Sequence, residues 1–395
     1  MAQQAAPSAS QQTRYMQGVA VPASSVNPTE FFRRTRRKIQ TEEAKPFPGL
    51  GQQTVVTLKK TDILSGITIR FDGTVTSTPG GGSVATKARW PYDLIRQLRF
   101  TANGQSNIIN CSGLKLKVRD YMAKGDLSDR GIVQSIANAS VQQGTLSQAC
   151  ESWGVGSRAT AIAGGTYDVD LEWFVPIAED QVDLAGAIFA ATSSTDLNLV
   201  IDWATEGELF TLAGGGAAAV AGSVQVVAHR YSIPLGADGQ IVVPDLSVFH
   251  SLIQTRHTDW ATGEQEKTLI GQGAGKTLLR AFSQLWNGAT PAPLVVNEDN
   301  FGRMAWRFAG NETPDEFQDG QILRAINERM YNVDIGAVWG FWCHEFAAEN
   351  ALRDVVDLGT TSEWRQVITV GSGVALSNPA LEVTAETVFS AGAGA

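Results

Sequence analysis

The 395-residue sequence has few cysteines, histidines and charged side chains. Its three cysteines, Cys111, Cys150 and Cys343, lie far apart and form no CxxC pair, so they indicate no disulfide framework and favour a reducing compartment with buried, unreactive thiols. No apolar run approaches the roughly 20 residues that cross a bilayer, and the opening MAQQAAPSAS lacks the apolar stretch of a signal peptide. We therefore expect a soluble protein that is not exported by a standard signal.

What the chain does contain favours β-structure. Hydrophobic residues make up 43% and charged residues 18%, with 40 glycines. This composition is typical of a β-rich, loop-rich protein, and it is too apolar for a disordered chain. The length suggests two or three domains.

The net charge of −9 is unevenly distributed. Residues 1–40 carry six cations and the single anion Glu30, so this segment has a charge of +5 and the remainder −14. A mobile arm rich in Ala, Gln, Ser and Pro is predicted over 1–30, followed by a basic segment with apolar flanks that ends near Ile39. On a helix this segment would lie on an anionic surface. Docking of the segment on its own subunit or on a neighbouring one is an equally weighted alternative. The candidate contact residues are Phe31, Phe32, Arg33, Arg34, Arg36, Arg37 and Lys38.

Strand patterns dominate from residue 54 onward. In 167–175, Tyr, Val, Leu, Trp and Val alternate with polar residues at the two-residue period of a half-buried strand. The same period predicts strands in 66–76, 197–203 and 223–234, and Asn103-Gly104 predicts a hairpin turn. Gly- and Ala-rich loops, such as 212–222, are expected between the strands.

Few helices are predicted. Residues 112–124 place Leu114, Val118, Tyr121 and Met122 on one stripe at helical spacing. The second helix is expected to open at a Thr313-Pro314-Asp315-Glu316 capping box and to run to about Met330. Its predicted buried stripe consists of Ile322, Leu323, Ile326 and Met330.

Turn-forming residues in 231–246 mark a domain junction, and the strand pattern with one main helix repeats after it. We predict four segments: a basic arm over 1–40, a first sandwich over 41–235, a second over 236–385, and a flexible tail over 386–395. No period of 20–50 residues indicates a solenoid or a propeller.

Two motifs resemble catalytic ones but fail. The glycines before Lys276-Thr277 leave a phosphate-binding loop one residue short, and the alternating βαβ pattern behind such a loop is missing. His344-Glu345 begins like a zinc-protease helix, but the position of the second histidine holds Ala348. We predict no catalytic residue, no metal site and no cofactor.

The acidic row Asp168, Asp170 and Glu172 lies on one strand face, which is more typical of a solvated surface than of a glycosidase pair. Sandwiches of this kind also occur in lectins and hydrolases. A carbohydrate-binding or carbohydrate-active double sandwich is therefore the alternative hypothesis, and nucleotide-dependent packaging, which rests on Lys276 alone, is the third.

Two stretches resemble a known family. In 171–203 a Trp-bearing strand ends in Val-Pro and is followed by a short acidic stretch, Asp-Leu-Ala-Gly-Ala and another apolar strand. Residues 233–252 resemble a linker between two jelly rolls. Together with the length and layout, these stretches resemble the major capsid proteins of tectiviruses, which are membrane-containing icosahedral phages.

The resemblance implies an all-β fold of two consecutive eight-stranded jelly rolls with a few short helices. It implies homotrimers that form pseudo-hexagonal capsomers in an icosahedral shell around an internal membrane, with both termini on the inner side. Implied partners are neighbouring capsomers, vertex and minor capsid proteins and the membrane, with no specific binding of nucleic acid. The protein would be made in the host cytoplasm and would reside in the virion. The basic arm would then contact anionic head groups or neighbouring subunits.

Overall fold

Most of the chain forms antiparallel β-strands in the computed structural model. The structure describes residues 24–25, 28–102, 105–124, 133–135, 161–180, 183–192, 196–236, 239–270, 275–288, 292–308, 313, 316–336, 340–347, 355–359 and 364–390. Cys150 and the predicted turn residues Asn103 and Gly104 lie outside these ranges.

The first half of the chain builds one two-sheet sandwich. One sheet has the strand order β2-β14-β4-β10 and the other β3-β12-β6-β7, which gives the eight strands of a jelly roll. Strands β8 and β11 extend the first sheet, and β13, β5 and β9 form a small separate sheet. The strands are β1 (Ser24–Ser25), β2 (Arg37–Pro46), β3 (Gln53–Thr57), β4 (Ile63–Thr78), β5 (Ser83–Thr86), β6 (Ile95–Ala102), β7 (Gln105–Cys111), β8 (Val133–Ser135), β9 (Ala161–Ile162), β10 (Gly165–Pro176), β11 (Ile188–Phe189), β12 (Leu197–Trp203), β13 (Phe210–Ala213) and β14 (Ala217–Tyr231).

The second half repeats this plan. The orders β16-β25-β18-β22 and β17-β24-β20-β21 again supply four strands to each sheet, so the predicted double jelly roll is confirmed. Strands β19 and β23 pair with β18, and β15 pairs with β1. The strands are β15 (Val242–Val243), β16 (Val248–His257), β17 (Gly263–Lys267), β18 (Lys276–Asn287), β19 (Ala292–Pro293), β20 (Phe301–Phe308), β21 (Glu316–Phe317), β22 (Phe341–Glu345), β23 (Val356–Asp357), β24 (Trp364–Val370) and β25 (Ala380–Ser390).

Residue alternation explains the cores. In β10, Tyr167, Val169, Leu171, Trp173 and Val175 are buried, as their two-residue period predicts. They join a large apolar cluster that fills the first jelly roll and continues into the second through residues such as Phe282 and Phe341. A separate cluster around Trp306 and Trp342 lies within the second jelly roll. Apolar packing therefore runs across the boundary between the two jelly rolls.

The two jelly rolls are joined through a shared sheet. Strand β7 pairs in parallel with β16, with Ile109 opposite Leu252, so one ten-stranded sheet runs through both halves. The last strand of the first jelly roll ends at Tyr231 and the first strand of the second begins at Val248. The intervening residues correspond to the predicted junction.

Four α-helices accompany the strands in the described residues. Helix α2 confirms the helix predicted over 112–124. For α4 the predicted start is wrong: Glu316 and Phe317 pair with β20 as strand β21, and the N-cap is Asp319, whose side chain accepts a hydrogen bond from the Ile322 amide. The helices are α1 (Pro28–Arg34), α2 (Gly113–Lys124), α3 (Glu206–Leu209) and α4 (Gly320–Tyr331).

The predicted buried stripe of α4 is also wrong in the protomer, except at Leu323. The buried side chains are Leu323, Asn327 and Tyr331, whereas Ile322 and Ile326 are exposed. Asn327 explains this orientation, because its amide donates to the Cys343 carbonyl and its oxygen accepts from the Cys343 amide. The helix is thereby fixed to β22 by a polar contact.

Three predicted boundaries differ from the structure. The flexible tail predicted from 386 is wrong for residues 386–390, which continue β25 and pair with β16. The predicted arm overlaps the fold, since β2 begins at Arg37 and pairs with β14. The predicted loop over 212–222 is shorter, because only a glycine turn at 214–216 separates β13 from β14.

One end of the first jelly roll gathers several chain segments. Phe31 of α1 packs in a small apolar cluster with Ile63, Tyr231 and the linker residues Val243 and Leu246. Strand β16 begins directly after this linker, where Val248 pairs with Ser390 at the end of β25. We call this end, defined by α1, the linker and the end of β25, the basal end. Since β4 starts there and has 16 residues, the opposite end lies about 50 Å away.

Candidate functional site: the interdomain interface and the basic segment

Helix α2 lies between the two jelly rolls. It begins at Gly113, where a Cβ atom would lie 2.2 Å from the Tyr92 carbonyl oxygen, so a glycine permits this close approach. Leu116 and Val118 belong to the large apolar cluster that fills the first jelly roll and continues into the second. Lys115 and Arg119, four residues apart on one helix face, instead reach glutamates on β25 of the second jelly roll.

The first of these contacts centres on Glu382. Nζ of Lys115 lies 2.5 Å from one carboxylate oxygen of Glu382, and the Arg89 guanidinium donates to the other at 2.9 Å. Lys115 also donates to Gln284 of β18, and Arg89 pairs with Asp93. Both charges of the Lys115–Glu382 pair are buried and hydrogen-bonded, which is the condition under which buried charges are tolerated.

The second contact centres on Glu386, which is fully buried. Arg119 donates to it at 2.9 Å, Arg280 at 3.1 Å, and Nε2 of His250 lies 2.8 Å from its oxygen. Arg280 extends the network to Glu345 at 2.8 Å. We call the ion pairs around Glu382 and Glu386 the interdomain network.

Burial and charge oppose each other at these carboxylates. Burial alone would raise the pKa of Glu382, but Lys115 and Arg89 outweigh it and hold this pKa at about 2. Burial would likewise raise the pKa of Glu386, but Arg119 and Arg280 outweigh it and hold this pKa well below the ordinary value. Both carboxylates are therefore ionised at neutral pH, and the network acts as a charged connection between the jelly rolls.

The two described cysteines are unreactive. Burial raises the pKa of the Cys111 thiol, and burial together with the nearby Glu345 raises that of Cys343. Both are free and buried, so they lack the thiolate character of a nucleophile. This agrees with the prediction for these two residues.

The basic segment is divided between core and surface. Phe31 is fully buried and packs edge-to-face on Tyr231, and Phe32, half-buried, contacts the same ring at 5.4 Å. The fold of the chain itself thus occupies Phe31. Ile39 lies in β2 rather than on a helix and is 58% exposed.

The cations of this segment remain near the surface. Arg33 and Arg36 are exposed. Arg34 forms a salt bridge to Glu30, Nη2 of Arg37 lies 3.2 Å from Nδ1 of His229, and Lys38 pairs with Asp62 at 2.9 Å. The structure therefore places all five cations at the basal end, and the four arginines among them are exposed.

The residues of the failed motifs occupy ordinary strand positions. Lys276 is the first residue of β18, which pairs with β25 rather than leading into a helix as a phosphate-binding loop requires. His344 lies in β22, buried against the Trp306 ring, and burial lowers its pKa to about 3. Within the described ranges no group of three histidine, cysteine or acidic residues is placed to bind a metal.

The acidic row of β10 lies on the outer surface of its sheet. Asp170 accepts two hydrogen bonds from Arg70 of β4, and Asp168 and Glu172 flank it. Asp168 and Glu172 belong to the same strand face and do not oppose each other across a cleft. The arrangement fits a solvated surface, as the spacing predicted.

Sequence reasoning missed the interdomain network. Glu382 and Glu386 alternate with Leu381, Val383 and Ala385, which is the pattern of a half-exposed strand. The periodicity was a usable signal for the strand, but nothing local indicates that α2 covers its charged face.

Comparison with known proteins identifies the lineage. A family model described as the N-terminal part of the P3 major capsid protein matches residues 1–234. The chain belongs to the P3 major capsid protein family. This match covers more than half of the chain and the whole first jelly roll. Among curated proteins, none matches the sequence.

Solved structures show the same double jelly roll over both halves. The STIV major capsid protein superposes with a TM-score of 0.64 at 12% identity, covering 90% of this chain and 97% of that one. The atomic structure of Sulfolobus Turreted Icosahedral Virus gives 0.63 at 14% identity, over 89% and 91%. The PBCV-1 virus capsid gives 0.55 at 12% identity, over 91% and 96%. At these identities the likeness concerns the fold.

The family defines the general role. As a P3-family major capsid protein, the chain is a structural, non-enzymatic component of the virion shell, which assembles by self-association. In the part of the chain that the structure describes, no helix is both long and apolar enough to span a bilayer.

Proposed function

We propose that this major capsid protein forms homotrimers whose six jelly rolls make a pseudo-hexagonal capsomer of an icosahedral phage shell around an internal membrane. The interdomain network supports this role. With Lys115 and Arg119 buried against Glu382 and Glu386, the two jelly rolls form one block, and three such blocks supply six similar units. The family assignment of the first jelly roll supports a shell function for the block.

We further propose that the basal end faces the membrane. Arg33 and Arg36 are exposed there beside the exposed apolar Ile39 and Leu235. Clustered Lys and Arg near an anionic membrane surface contribute about 1 kcal/mol each. Phe31 and Phe32 hold α1 on the protein, so the contact with lipid relies mainly on the cations, and Ile39 and Leu235 are the apolar side chains that could add to it. Vertex and minor capsid proteins are the remaining proposed partners.

Vesicle flotation tests the membrane contact. Deleting residues 1–40 would remove part of β2, so charge reversal is the better change: Arg33→Glu with Arg36→Glu. We expect the wild-type protein to float with vesicles containing anionic phosphatidylglycerol and not with neutral phosphatidylcholine, and the variant to bind at least about 25-fold more weakly. Arg96→Glu with Arg256→Glu, which reverses two exposed cations outside the basal end, is the matched control. Equal binding of both variants would contradict the proposal.

A further inference from the structure

Helix α4 exposes an apolar stripe. Ile322, Ile326 and Met330 are 42%, 40% and 43% exposed and lie four residues apart, on one side of the helix. The other side, with Leu323 and Asn327, packs on the second jelly roll. An apolar stripe of this kind normally faces a partner.

Helices α2 and α4 are equivalent elements of the two jelly rolls. Helix α2 follows β7, the last strand in the order β3-β12-β6-β7, and α4 follows β21, the last in the order β17-β24-β20-β21. Each helix begins with a buried glycine. A Cβ on Gly113 would meet Tyr92, just before β6, and one on Gly320 would meet Asn297 and Phe301, at the start of β20. Both helices therefore start against the strand that occupies the same place in each sheet.

Matching the two helices on these glycines gives pairs of equivalent positions. Leu116 coincides with Leu323 and Asp120 with Asn327, and all four residues are buried. The positions through which α4 packs on its own jelly roll are therefore also buried in α2, where every residue from Gly113 to Met122 is covered.

The remaining side differs in what covers it. Lys115 coincides with Ile322 and Arg119 with Ile326. In α2 these positions are buried against the second jelly roll of the same chain. In α4 they are isoleucines that remain 42% and 40% exposed in the described protomer.

The surface that receives α2 has a counterpart on the first jelly roll. Arg119 meets Glu386, which pairs across the sheet with Arg280, and Arg280 pairs with Glu345. This set lies on the outer face of the strands β25, β18 and β22. The corresponding strands of the first jelly roll are β14, β4 and β10.

On those strands the matching outer set is uncharged. Val227 pairs with Thr68, and Thr68 pairs with Phe174. The two sets lie at a similar distance from the start of their strands. Val227 lies four residues before Tyr231, the partner of the first residue of β4. Glu386 lies three residues before Phe389, the partner of the first residue of β18. All three side chains of the uncharged set are half-buried, with an accessible side. Where α2 presents charges to a charged set, α4 presents isoleucines to an uncharged set, which lies next to the Arg70–Asp170 ion pair on the same face.

We propose that α4 of one copy docks on the outer face of β14, β4 and β10 of a second copy, with Ile326 against Val227 as Arg119 lies against Glu386 within the chain. The contact repeats between copies the jelly-roll arrangement found within one, so that three copies close a ring of six. This inference rests on the proposed trimer and names its interface.

Native mass spectrometry of the full-length protein tests the contact. Ile326→Glu puts a carboxylate into the apolar stripe, and we expect the trimer dissociation constant to rise roughly 30-fold or more. Gln321→Glu adds the same charge to the same helix away from the stripe, and the trimer should persist. A wild-type monomer would overturn the trimer itself. If the wild-type protein is a trimer and the Ile326→Glu and Gln321→Glu variants form trimers of equal stability, only the docking of α4 is overturned.

A cross-link keeps the inference testable if Ile326→Glu does not fold. In a variant carrying Ile326→Cys and Val227→Cys, mild oxidation should give disulfide-linked dimers and trimers on a denaturing gel, since paired cysteines need Cα atoms within about 7 Å. Each single variant should remain uncross-linked. If the double variant is a trimer and forms no cross-link, and the single variants form none either, the pairing of Ile326 with Val227 is overturned.

Discussion

Lys115 and Glu382 come from different jelly rolls, 267 residues apart in sequence, yet their charged atoms lie 2.5 Å apart with both side chains buried. Glu386, two strand periods further along the same face of β25, repeats the arrangement with Arg119. Each ion pair therefore connects α2 to β25 of the second jelly roll.

Lys115→Met should strongly destabilise the protein. Removing one partner leaves Glu382 as an incompletely compensated buried charge, for which a loss of about 3–5 kcal/mol in the free energy of unfolding is typical. Urea denaturation measures it. Lys60→Met, which removes an exposed partner of Asp196, is the control and should cost less than about 1 kcal/mol. Adding Glu382→Gln to Lys115→Met should recover part of the loss, and equal losses in the two lysine variants would contradict the account.

Acid should weaken the connection between the jelly rolls. The folded-state pKa of Glu382 is about 2, below the ordinary 4.5, so its ionised form stabilises the fold fully above about pH 5 and loses this effect as pH falls towards 2. The free energy of unfolding, measured from pH 7 to pH 3, should decline over this range. Glu382→Gln should show a shallower decline below pH 5, and an unchanged slope would contradict the assignment.

His344→Phe should stabilise the protein, and more so in acid. Both ring nitrogens of His344 are buried without a hydrogen-bond partner in the described structure, beside the rings of Trp306 and Phe317. Because burial lowers its pKa to about 3, the unfolded chain takes up a proton below about pH 6.5 and the folded protein does not. Thermal unfolding at pH 7 and pH 4 should show a larger gain at pH 4. A destabilised variant would indicate a hidden polar role for His344.

Gly113→Ala should displace α2. Its Cβ would lie 2.2 Å from the Tyr92 carbonyl oxygen and 2.7 Å from Nε1 of Trp173, so overpacking of about 1–3 kcal/mol is expected. Gly207→Ala in α3 is the matched control, since nothing lies within 4 Å of its added Cβ. Thermal unfolding should show the first variant destabilised and the second neutral or slightly stabilised.

The sequence predicted the strands better than their partners. Alternating apolar residues located β10, β12 and β14, because the two-residue period is a local property of the chain. The network around Glu382 and Glu386 was not predictable, since a charged strand face has the same pattern whether water or α2 covers it. The tail boundary failed at Glu386 for this reason.

Helix α4 shows the opposite error. The spacing of Ile322, Ile326 and Met330 predicted a buried stripe, but burial in the protomer follows Leu323 and Asn327. The local pattern indicates that a helix face packs against another surface, and it does not distinguish a surface of the same chain from one of a second copy. In the basic segment, likewise, the pattern predicted the surface cations, while the burial of Phe31 depends on the distant Tyr231.

A cryo-electron microscopy map of the virion shell would show both the capsomer and the orientation of the basal end. We expect pseudo-hexagonal capsomers, each built from three copies of this chain, with the basal end and its Arg33 and Arg36 facing an internal membrane. A shell whose capsomers do not fit the double jelly roll, or in which the basal end points outward, would contradict this expectation.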